Sequence, residues 1–183
     1  MKLDVVTMNK FRNLLILSPL AYVIHHYEEH IIFNFREWRL LYFLDNNSLS
    51  TEEVLLRLLT VLLAMIFLHY IKQNKASAHI ILFFIMTTQV VNALFHIFFS
   101  FYYLHFSPGV ITGILLYLPI NFLIFKAALD ETYIKIKEIG YLFVLGLSTF
   151  ALFELIGPKV MAGALLFAFL YYLISTKYLF KSS

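Results

Sequence analysis

The residues with the clearest chemical potential lie together in one short segment, His25-His26-Tyr27-Glu28-Glu29-His30, within an apolar stretch. Ionisable side chains inside a membrane-spanning helix cost about 2.5–3.5 kcal/mol each on insertion scales, so they usually serve a function. On a helix, residues three and four apart share a face, so His25 meets Glu28 and Glu29. In the same way, His26 meets Glu29 and His30. Imidazole and carboxylate at this spacing suit zinc, iron or manganese, and equally a general base held by an imidazole, so both chemistries stay open.

A second set of polar residues lies on a later apolar segment, where Thr88, Gln89, Asn92 and His96 follow one another at spacings of one, three and four. They form a polar stripe on one face of the predicted helix. Asn92 and His96 are positioned to hold a water, a metal or a developing oxyanion from one side while the carboxylates act from the other. The alternative is that the stripe only hydrogen-bonds helices together, which applies best to Thr88 and Gln89.

The composition indicates a polytopic membrane protein. Of 183 residues, 61% are hydrophobic and 20 are phenylalanine, which is more than the interior of a soluble domain of this size holds. We predict an all-α transmembrane helical bundle that forms a single domain over residues 1–183. Six apolar segments approach the ~20 residues needed to cross a bilayer. They are 13–33, 54–71, 79–104, 109–128, 139–156 and 160–175.

The distribution of lysine and arginine predicts the orientation of these spans. With six crossings, the residues on one side would be Lys2, Lys10, Arg12, Lys72, Lys75, Lys126, Lys135, Lys137, Lys177 and Lys181. Arg36, Arg39 and Lys159 would lie on the other side. The positive-inside rule then places both termini in the cytoplasm. We expect a multi-pass integral protein of a prokaryotic plasma membrane.

In this topology the polar residues meet near the outer leaflet. The first polar segment occupies the outer half of the first helix, and His96 lies about eight residues, or ~12 Å, from the outer end of the third. Thr112 and Glu154 reach the same leaflet. Ser107 is interpreted as turn chemistry only, and His69 and His79 are interpreted as solvated at the cytoplasmic boundary.

Several residues predict local structure. Ser50 followed by Glu53 has the capping-box pattern and marks the start of the second span. Pro19 and Pro119 should kink the first and fourth spans, because proline lacks an amide hydrogen. The segment that follows the first span is too short and charged to cross, and we expect it to lie along the outer interface with Trp38 as its anchor.

Composition also excludes some functions. Without cysteine there is no disulfide and no thiolate ligand, so a metal would need His, Asp, Glu, Asn or water. The net charge of +3 comes from basic residues scattered between apolar runs, which argues against nucleic acid as a partner and leaves the lipid bilayer.

The chain resembles the HXXEE-domain family of small multi-pass membrane proteins, named for the motif that stands here as His25-His26-Tyr27-Glu28-Glu29. An Asn-x-x-x-His element typical of the family appears as Asn92 to His96, and Pro108-Gly109 follows with Thr112 beyond it. The resemblance covers residues 24–112, and we place the HXXEE-like region at about 13–128. It implies a group of functional residues but no reaction, because the family has no established activity.

A looser comparison is with the intramembrane prenyl-endopeptidases, which use a Glu-Glu pair, a Phe-x-x-x-His element and a later His. Here position 33 is Phe where that group has Arg, and Asn92 stands in place of its Phe. What carries over is a chemical analogy, in which a carboxylate deprotonates water and an imidazole receives an oxyanion.

The leading hypothesis is a membrane-embedded enzyme whose site lies between the first and third helices, opens to the outer leaflet and takes a lipid-like or isoprenoid-like substrate. Glu28 or Glu29 would act as general base or metal ligand, and Asn92 as the positioning or oxyanion donor. His25 and His96 would be ligands or proton carriers, and zinc or non-haem iron is the metal expected if one binds. Residues expected to support the substrate or the site are His26, His30, Gln89, Thr112 and Glu154.

Two other hypotheses remain open. The same side chains would suit a proton- or metal-coupled carrier, which would also need polar residues on the cytoplasmic half to complete a path. Alternatively, the protein is a structural membrane subunit whose polar cluster locks its helices together. In that case His25→Ala and His96→Ala would lower stability without any metal or substrate phenotype.

Overall fold

The computed structural model describes residues 10–46 and 49–179. In these ranges the chain forms helices and turns and no β-strand, which confirms the predicted all-α class. Lys2 and Lys181, two of the residues used to predict orientation, lie outside the described residues. The helices are α1 (Lys10–Leu14), α2 (Leu17–Tyr27), α3 (Phe35–Tyr42), α4 (Thr51–Lys72), α5 (Lys75–Tyr102), α6 (Val110–Asp130), α7 (Ile136–Ile156) and α8 (Lys159–Tyr178).

Five of these helices, α4 to α8, are long and apolar enough to cross a membrane. The protein therefore has the helices of a multi-pass membrane protein, as predicted. α5 is the central helix, because 56% of its most apolar window is buried against 11% in α7 and in α8. The outer faces of α7 and α8 are apolar and exposed, as lipid-facing surfaces are.

The first predicted span is interrupted, and its proline explains why. α1 ends at Leu14 and α2 begins at Leu17. Pro19 has no amide hydrogen to donate to the carbonyl of Leu15, four residues earlier. That carbonyl accepts instead from the amide of Ser18 at 3.2 Å. The predicted kink is thus a break, and neither piece alone has the length of the five spanning helices.

Three π-helical turns adjoin the polar residues. Glu28–Ile32 extends α2, Met86–Val91 lies within α5, and Gly113–Tyr117 lies within α6 directly before Pro119. A π turn carries one extra residue, so it rotates the side chains that follow it, and such turns are frequent at functional sites. The predicted kink at Pro119 corresponds to the third of these turns.

The N-terminal segment runs along the length of α6. At one end of the bundle the amide of Phe11 donates to Glu131 Oε1 at 2.8 Å, just beyond the last residue of α6. At the other end Glu28 accepts from the amide of Thr112 at 2.7 Å, in the first turn of α6. From Thr112 to Glu131 the two contacts are 19 positions apart (131 − 112), which is about 28 Å of helix.

Three local predictions can be compared with the structure. The capping box at the start of α4 is confirmed, because Ser50 Oγ accepts from the amide of Glu53 and Glu53 Oε2 accepts from the amide of Ser50. The prediction that Trp38 anchors its segment at the membrane interface is wrong. Trp38 is 4% exposed and its ring lies within 6.5 Å of the rings of Phe35, Phe95 and Tyr103, so α3 packs onto the bundle through it.

The interpretation of His69 and His79 as solvated is also wrong. His69 is fully buried, and its Nδ1 is 2.8 Å from Ser77 Oγ. His79 is half-buried between the Tyr171 hydroxyl and the Tyr133 carbonyl. Sequence position near a helix end predicted exposure, but the helix ends pack against one another in the bundle.

Candidate functional site

Three predicted site residues from two helices converge in the interior. His25 lies near the end of α2, Glu29 lies in the π turn that follows it, and His96 lies in α5. Glu29 Oε1 is 3.3 Å from His25 Nε2 and 2.8 Å from His96 Nε2. Both imidazoles are at most 1% exposed and Glu29 is 7% exposed, so the contact is shielded from water.

These short distances are ion-pair contacts that lack the alignment of a good hydrogen bond. The Nε2 atoms of His25 and His96 are both buried and have no hydrogen-bond partner in the described part of the chain. For His96 the distance to Glu29 Oε1 suits a hydrogen bond, so it is the direction of the ring nitrogen that fails. Two nitrogens and one oxygen that lie close together without aligned hydrogens are arranged as ligands of one ion are.

Two hydroxyl groups hold the imidazoles by their other nitrogens. His25 Nδ1 is 2.7 Å from Thr112 Oγ1, and His96 Nδ1 is 2.9 Å from Ser107 Oγ. When each Nδ1 carries the hydrogen and donates it to the hydroxyl, each Nε2 presents its lone pair to the site. Metal-binding histidines are oriented in this way. Ser107 therefore does more than the turn chemistry expected of it.

Glu28 lies beside this cluster but is engaged elsewhere. Its carboxylate accepts from the backbone amides of Gly109, Ile111 and Thr112 at 3.1, 3.2 and 2.7 Å. These amides lie at the start of α6, where the first N–H groups have no partner within the helix. Glu28 thus caps α6 from a distant part of the chain, and in doing so fixes both the loop that carries Ser107 and the first turn of α6, which carries Thr112.

Gly109 allows this loop to approach the cluster. Its backbone has φ +97°, a conformation that favours glycine. A Cβ atom there would lie 2.9 Å from His25 Cε1 and 3.0 Å from both Glu29 Cγ and His96 Nε2. The turn Pro108-Gly109 therefore forms one wall of the site, and only glycine fits it.

His30 lies beside the other carboxylate oxygen of Glu29, and His26 lies next to His30. His30 Nε2 is 3.6 Å from Glu29 Oε2, and the rings of His26 and His30 are 4.4 Å apart. The structure thus brings both predicted His/Glu faces together at one carboxylate.

A cavity of about 190 Å³ adjoins the cluster. Among its polar lining residues are His25, Glu29, Asn92 and Glu154, all predicted site residues. The Oδ1 atom of Asn92 is buried and has no hydrogen-bond partner among the described residues, so it is free to accept from a molecule in the cavity. The apolar lining comes from α4, α5, α7 and α8.

An ion pair closes the cavity at the end where α3 lies. Arg39 Nε donates to Glu154 Oε2 at 3.1 Å, and Arg39 Nη2 donates to Asn46 Oδ1 at 2.8 Å. Glu154, one of the predicted site residues, thus lines the cavity as the partner of Arg39. In the sequence, Arg39 served only to predict topology. The sequence places Arg39 and Glu154 on the same side of the membrane, and this was the only signal that they form an ion pair.

Gln89 does not point into the cluster. Its amide nitrogen donates to the Ser18 hydroxyl at 2.8 Å, and its carbonyl oxygen accepts from Asn121 Nδ2 at 2.9 Å. These bonds join α2, α5 and α6 below the site. The alternative interpretation of Gln89 as an interhelical contact fits this geometry.

Tyr117 is a site residue that sequence reasoning missed. Its ring centroid lies 4.2 Å from that of His25, it lines the cavity, and it is fully buried. The Tyr117 hydroxyl has no hydrogen-bond partner in residues 10–46 and 49–179. With 12 tyrosines in the chain, nothing in the sequence marks this one.

The fold and the site together define a class of protein, a multi-pass helical membrane protein with a buried His/Glu cluster near one end of its helices. The chain belongs to the HXXEE family, because the family model described as "protein of unknown function with HXXEE motif" matches residues 16–124. The predicted resemblance is thereby confirmed, and the matched region contains all of the cluster. Comparisons with curated proteins and with solved structures gave no match.

Proposed function

We propose that this protein is a membrane-embedded, metal-dependent enzyme that acts on a lipid-like or isoprenoid-like substrate. The observation that carries the proposal is the convergence of His25 Nε2, His96 Nε2 and Glu29 Oε1 in a buried site without an aligned hydrogen bond among them. Two imidazoles and one carboxylate form a ligand set used by catalytic zinc and by non-haem iron. Both metals leave open positions for water or substrate at such a site.

The surrounding residues have separate roles in this proposal. Zinc would supply an activated water and iron would supply oxygen chemistry. Thr112 and Ser107 hold the two imidazoles, while Asn92 and the Tyr117 hydroxyl offer hydrogen bonds to a substrate oxygen in the cavity. Glu29 is the carboxylate of the site, and Glu28 supports it through the backbone of α6.

The shape of the cavity supports an amphiphilic substrate. Its polar end holds the cluster and the Arg39–Glu154 ion pair, and its other walls are apolar. On α4 the lining residues run from Thr51 to Met65, which is about 21 Å of helix. A molecule with a polar group at the cluster and an apolar chain between α4 and α8 fits these walls.

The proposal includes six crossings, with both termini in the cytoplasm of a prokaryotic cell and the site at the outer leaflet. Its support is that residues 10–32 extend between the two ends of α6 although the helix is broken at Leu15. One contact in the interior of the bundle supports an enzyme over a carrier. The amide group of Gln89 is engaged at both its nitrogen and its oxygen, so it is not free to relay ions from the cluster.

Elemental analysis of detergent-purified protein tests the proposal. The wild type, grown in metal-replete medium, is compared with a His25→Gln/Glu29→Gln/His96→Gln variant, whose side chains keep their approximate volume. A His105→Gln variant is the matched control, because His105 is an exposed imidazole at the same end of the bundle. Size-exclusion chromatography and a thermal melt establish that all three proteins fold.

We expect zinc or iron close to stoichiometric amounts in the wild type and the control, and its loss in the triple variant. Wild-type protein that binds neither zinc nor iron, even after reconstitution with each metal, would contradict the proposal. A triple variant that melts at a lower temperature, with no metal bound by any of the proteins, would instead favour the structural-subunit hypothesis.

A further inference from the structure

The two oxygen atoms of Glu29 face different histidines. Oε1 faces His25 and His96, as described above. Oε2 lies 3.6 Å from His30 Nε2, and the ring of His26 is 4.4 Å from that of His30. Each carboxylate oxygen of Glu29 thus has at least one imidazole beside it, and four imidazoles lie around the group.

The helix geometry explains this arrangement. His26, Glu29 and His30 have the spacing i, i+3 and i+4, so they share a face. His25 lies one residue before His26 and therefore about 100° around the helix axis, on the face that meets α5. Glu29 lies between these faces, and the π turn that begins at Glu28 sets its rotation.

His26, Glu29 and His30 form a set of ligand atoms in their own right. One nitrogen from each imidazole and one carboxylate oxygen lie within 4.8 Å of one another, as do the atoms of the first set. His26 is 6% exposed, and both imidazoles line the cavity. Four clustered imidazoles would repel one another if protonated, whereas neutral imidazoles bind divalent cations well.

We propose that Glu29 is the bridging carboxylate of a two-metal centre. The first ion is held by His25, His96 and Glu29 Oε1, and the second by His26, His30 and Glu29 Oε2. The ligands are nitrogen and oxygen atoms only, so divalent zinc, iron or manganese is the class of ion. This inference rests on the proposed metal site and adds the second ion, which places two metals beside one substrate cavity.

Counting bound ions tests the second site. Detergent-purified full-length protein is stripped with a chelator, reconstituted with Mn²⁺ and dialysed, and Mn²⁺ per chain is measured by mass spectrometry. The variants are His26→Gln/His30→Gln, His25→Gln/His96→Gln and Glu29→Gln, with His105→Gln as the control. We expect two Mn²⁺ ions per chain in the wild type and the control, and one in each double variant. Glu29→Gln should bind fewer than two ions per chain, because it removes the ligand that both ions share.

A second measurement needs no variant. Two Mn²⁺ ions that share a carboxylate are magnetically coupled, so electron paramagnetic resonance of the reconstituted wild type should show the coupled spectrum and not that of isolated ions. If the wild type binds one ion per chain and the His26→Gln/His30→Gln variant still binds it, the two-metal centre is overturned while the proposed function stands. Two ions that survive this substitution, or two uncoupled ions, would also overturn it. No Mn²⁺ in the wild type, together with no zinc or iron after reconstitution with each of those metals, would remove both proposals.

Discussion

Glu28 and Glu29 are adjacent in sequence, yet their carboxylates face different parts of the molecule. Glu29 lies between imidazoles, whereas Glu28 accepts three backbone amides at the start of α6. We therefore expect Glu29→Gln to lose bound metal. Glu28→Gln should keep it but lower the free energy of unfolding by about 1–3 kcal/mol, because a charged acceptor of buried amides is lost. Metal analysis and denaturation in detergent check this pair, and equal metal loss in both variants would contradict it.

The hydroxyls behind the imidazoles give a second prediction at the scale of single residues. Ser107→Ala and Thr112→Val remove the partners of His96 Nδ1 and His25 Nδ1. Loss of such an orienting partner typically weakens metal binding 10–100-fold. Competition with a chelator of known affinity measures the change. Ser148→Ala is the control, since Ser148 is exposed on α7 and bonds only within its own helix; a similar loss there would count against the assignment.

Some of these residue roles followed from the sequence and others did not. The pairing of His25 with Glu29 follows from their spacing on one helix, so it was predicted. The division of labour between Glu28 and Glu29 depends on the π turn and on the path of the loop before α6. Neither is visible in a helical pattern, and the same is true of Ser107, whose partner lies 11 positions earlier on another element.

At the scale of elements, the turn before α6 is the most constrained part of the site. Gly109→Ala places a Cβ within 3.0 Å of three cluster residues and forces an alanine into φ +97°. The backbone strain alone costs about 1–3 kcal/mol, and relief of the contacts would move the loop away from His25 and His96. We expect lower stability together with loss of bound metal.

Gly163→Ala is the matched control for this substitution. Gly163 lies within α8, and a Cβ there meets nothing within 4 Å. Alanine in a helix interior is more favourable than glycine by about 0.5–1 kcal/mol, so the control should melt at the same or a higher temperature. Metal loss in Gly163→Ala, or unchanged metal in Gly109→Ala, would show that the turn does not form the wall of the site.

A further prediction concerns α8, whose small residues leave room for the apolar end of the cavity. Ala164 lines the cavity, whereas Ala162 on the same helix is exposed. We expect Ala164→Trp to reduce binding of a fluorescent acyl-chain probe at least several-fold while bound metal is retained. Ala162→Trp should bind the probe like the wild type. Identical probe binding in all three proteins, measured by titration in the same detergent, would contradict the substrate assignment.

The elements themselves were only partly predictable. Apolar length gave α4 to α8, because each is a long run with few charges. Apolar length missed the break at Leu15, where a proline removes one hydrogen bond. The placement of Trp38 at the bilayer surface was also wrong. The sequence around Trp38 is amphipathic, and this pattern fits a helix on the bilayer as well as a helix packed on the protein. Which surface its buried face covers, bilayer or protein, is decided by the tertiary aromatic contacts with α5.

At the scale of the whole molecule, the prediction to test is six crossings of the membrane against five. Hydrogen bonds at both ends of α6 show that residues 10–32 span its length. A second contact at the first end is the Tyr70 hydroxyl, at the end of α4, which donates to the Arg12 carbonyl at 3.0 Å. If α4 and α6 cross the membrane, the broken segment beside them must cross it too, and Lys10 then lies on the same side as the loop after α6.

Single cysteines test this topology cleanly, since the chain has none of its own. Arg36→Cys and His105→Cys should react with a membrane-impermeant maleimide in intact cells. Lys10→Cys and Lys135→Cys should react only after permeabilisation, because six crossings put both on the cytoplasmic side with most of the basic residues. Labelling of Lys10→Cys in intact cells, with Lys135→Cys protected, would mean that the first segment does not cross. The His/Glu cluster would then be held by a segment that enters the bundle and returns, and α4 to α8 would be the complete set of spans.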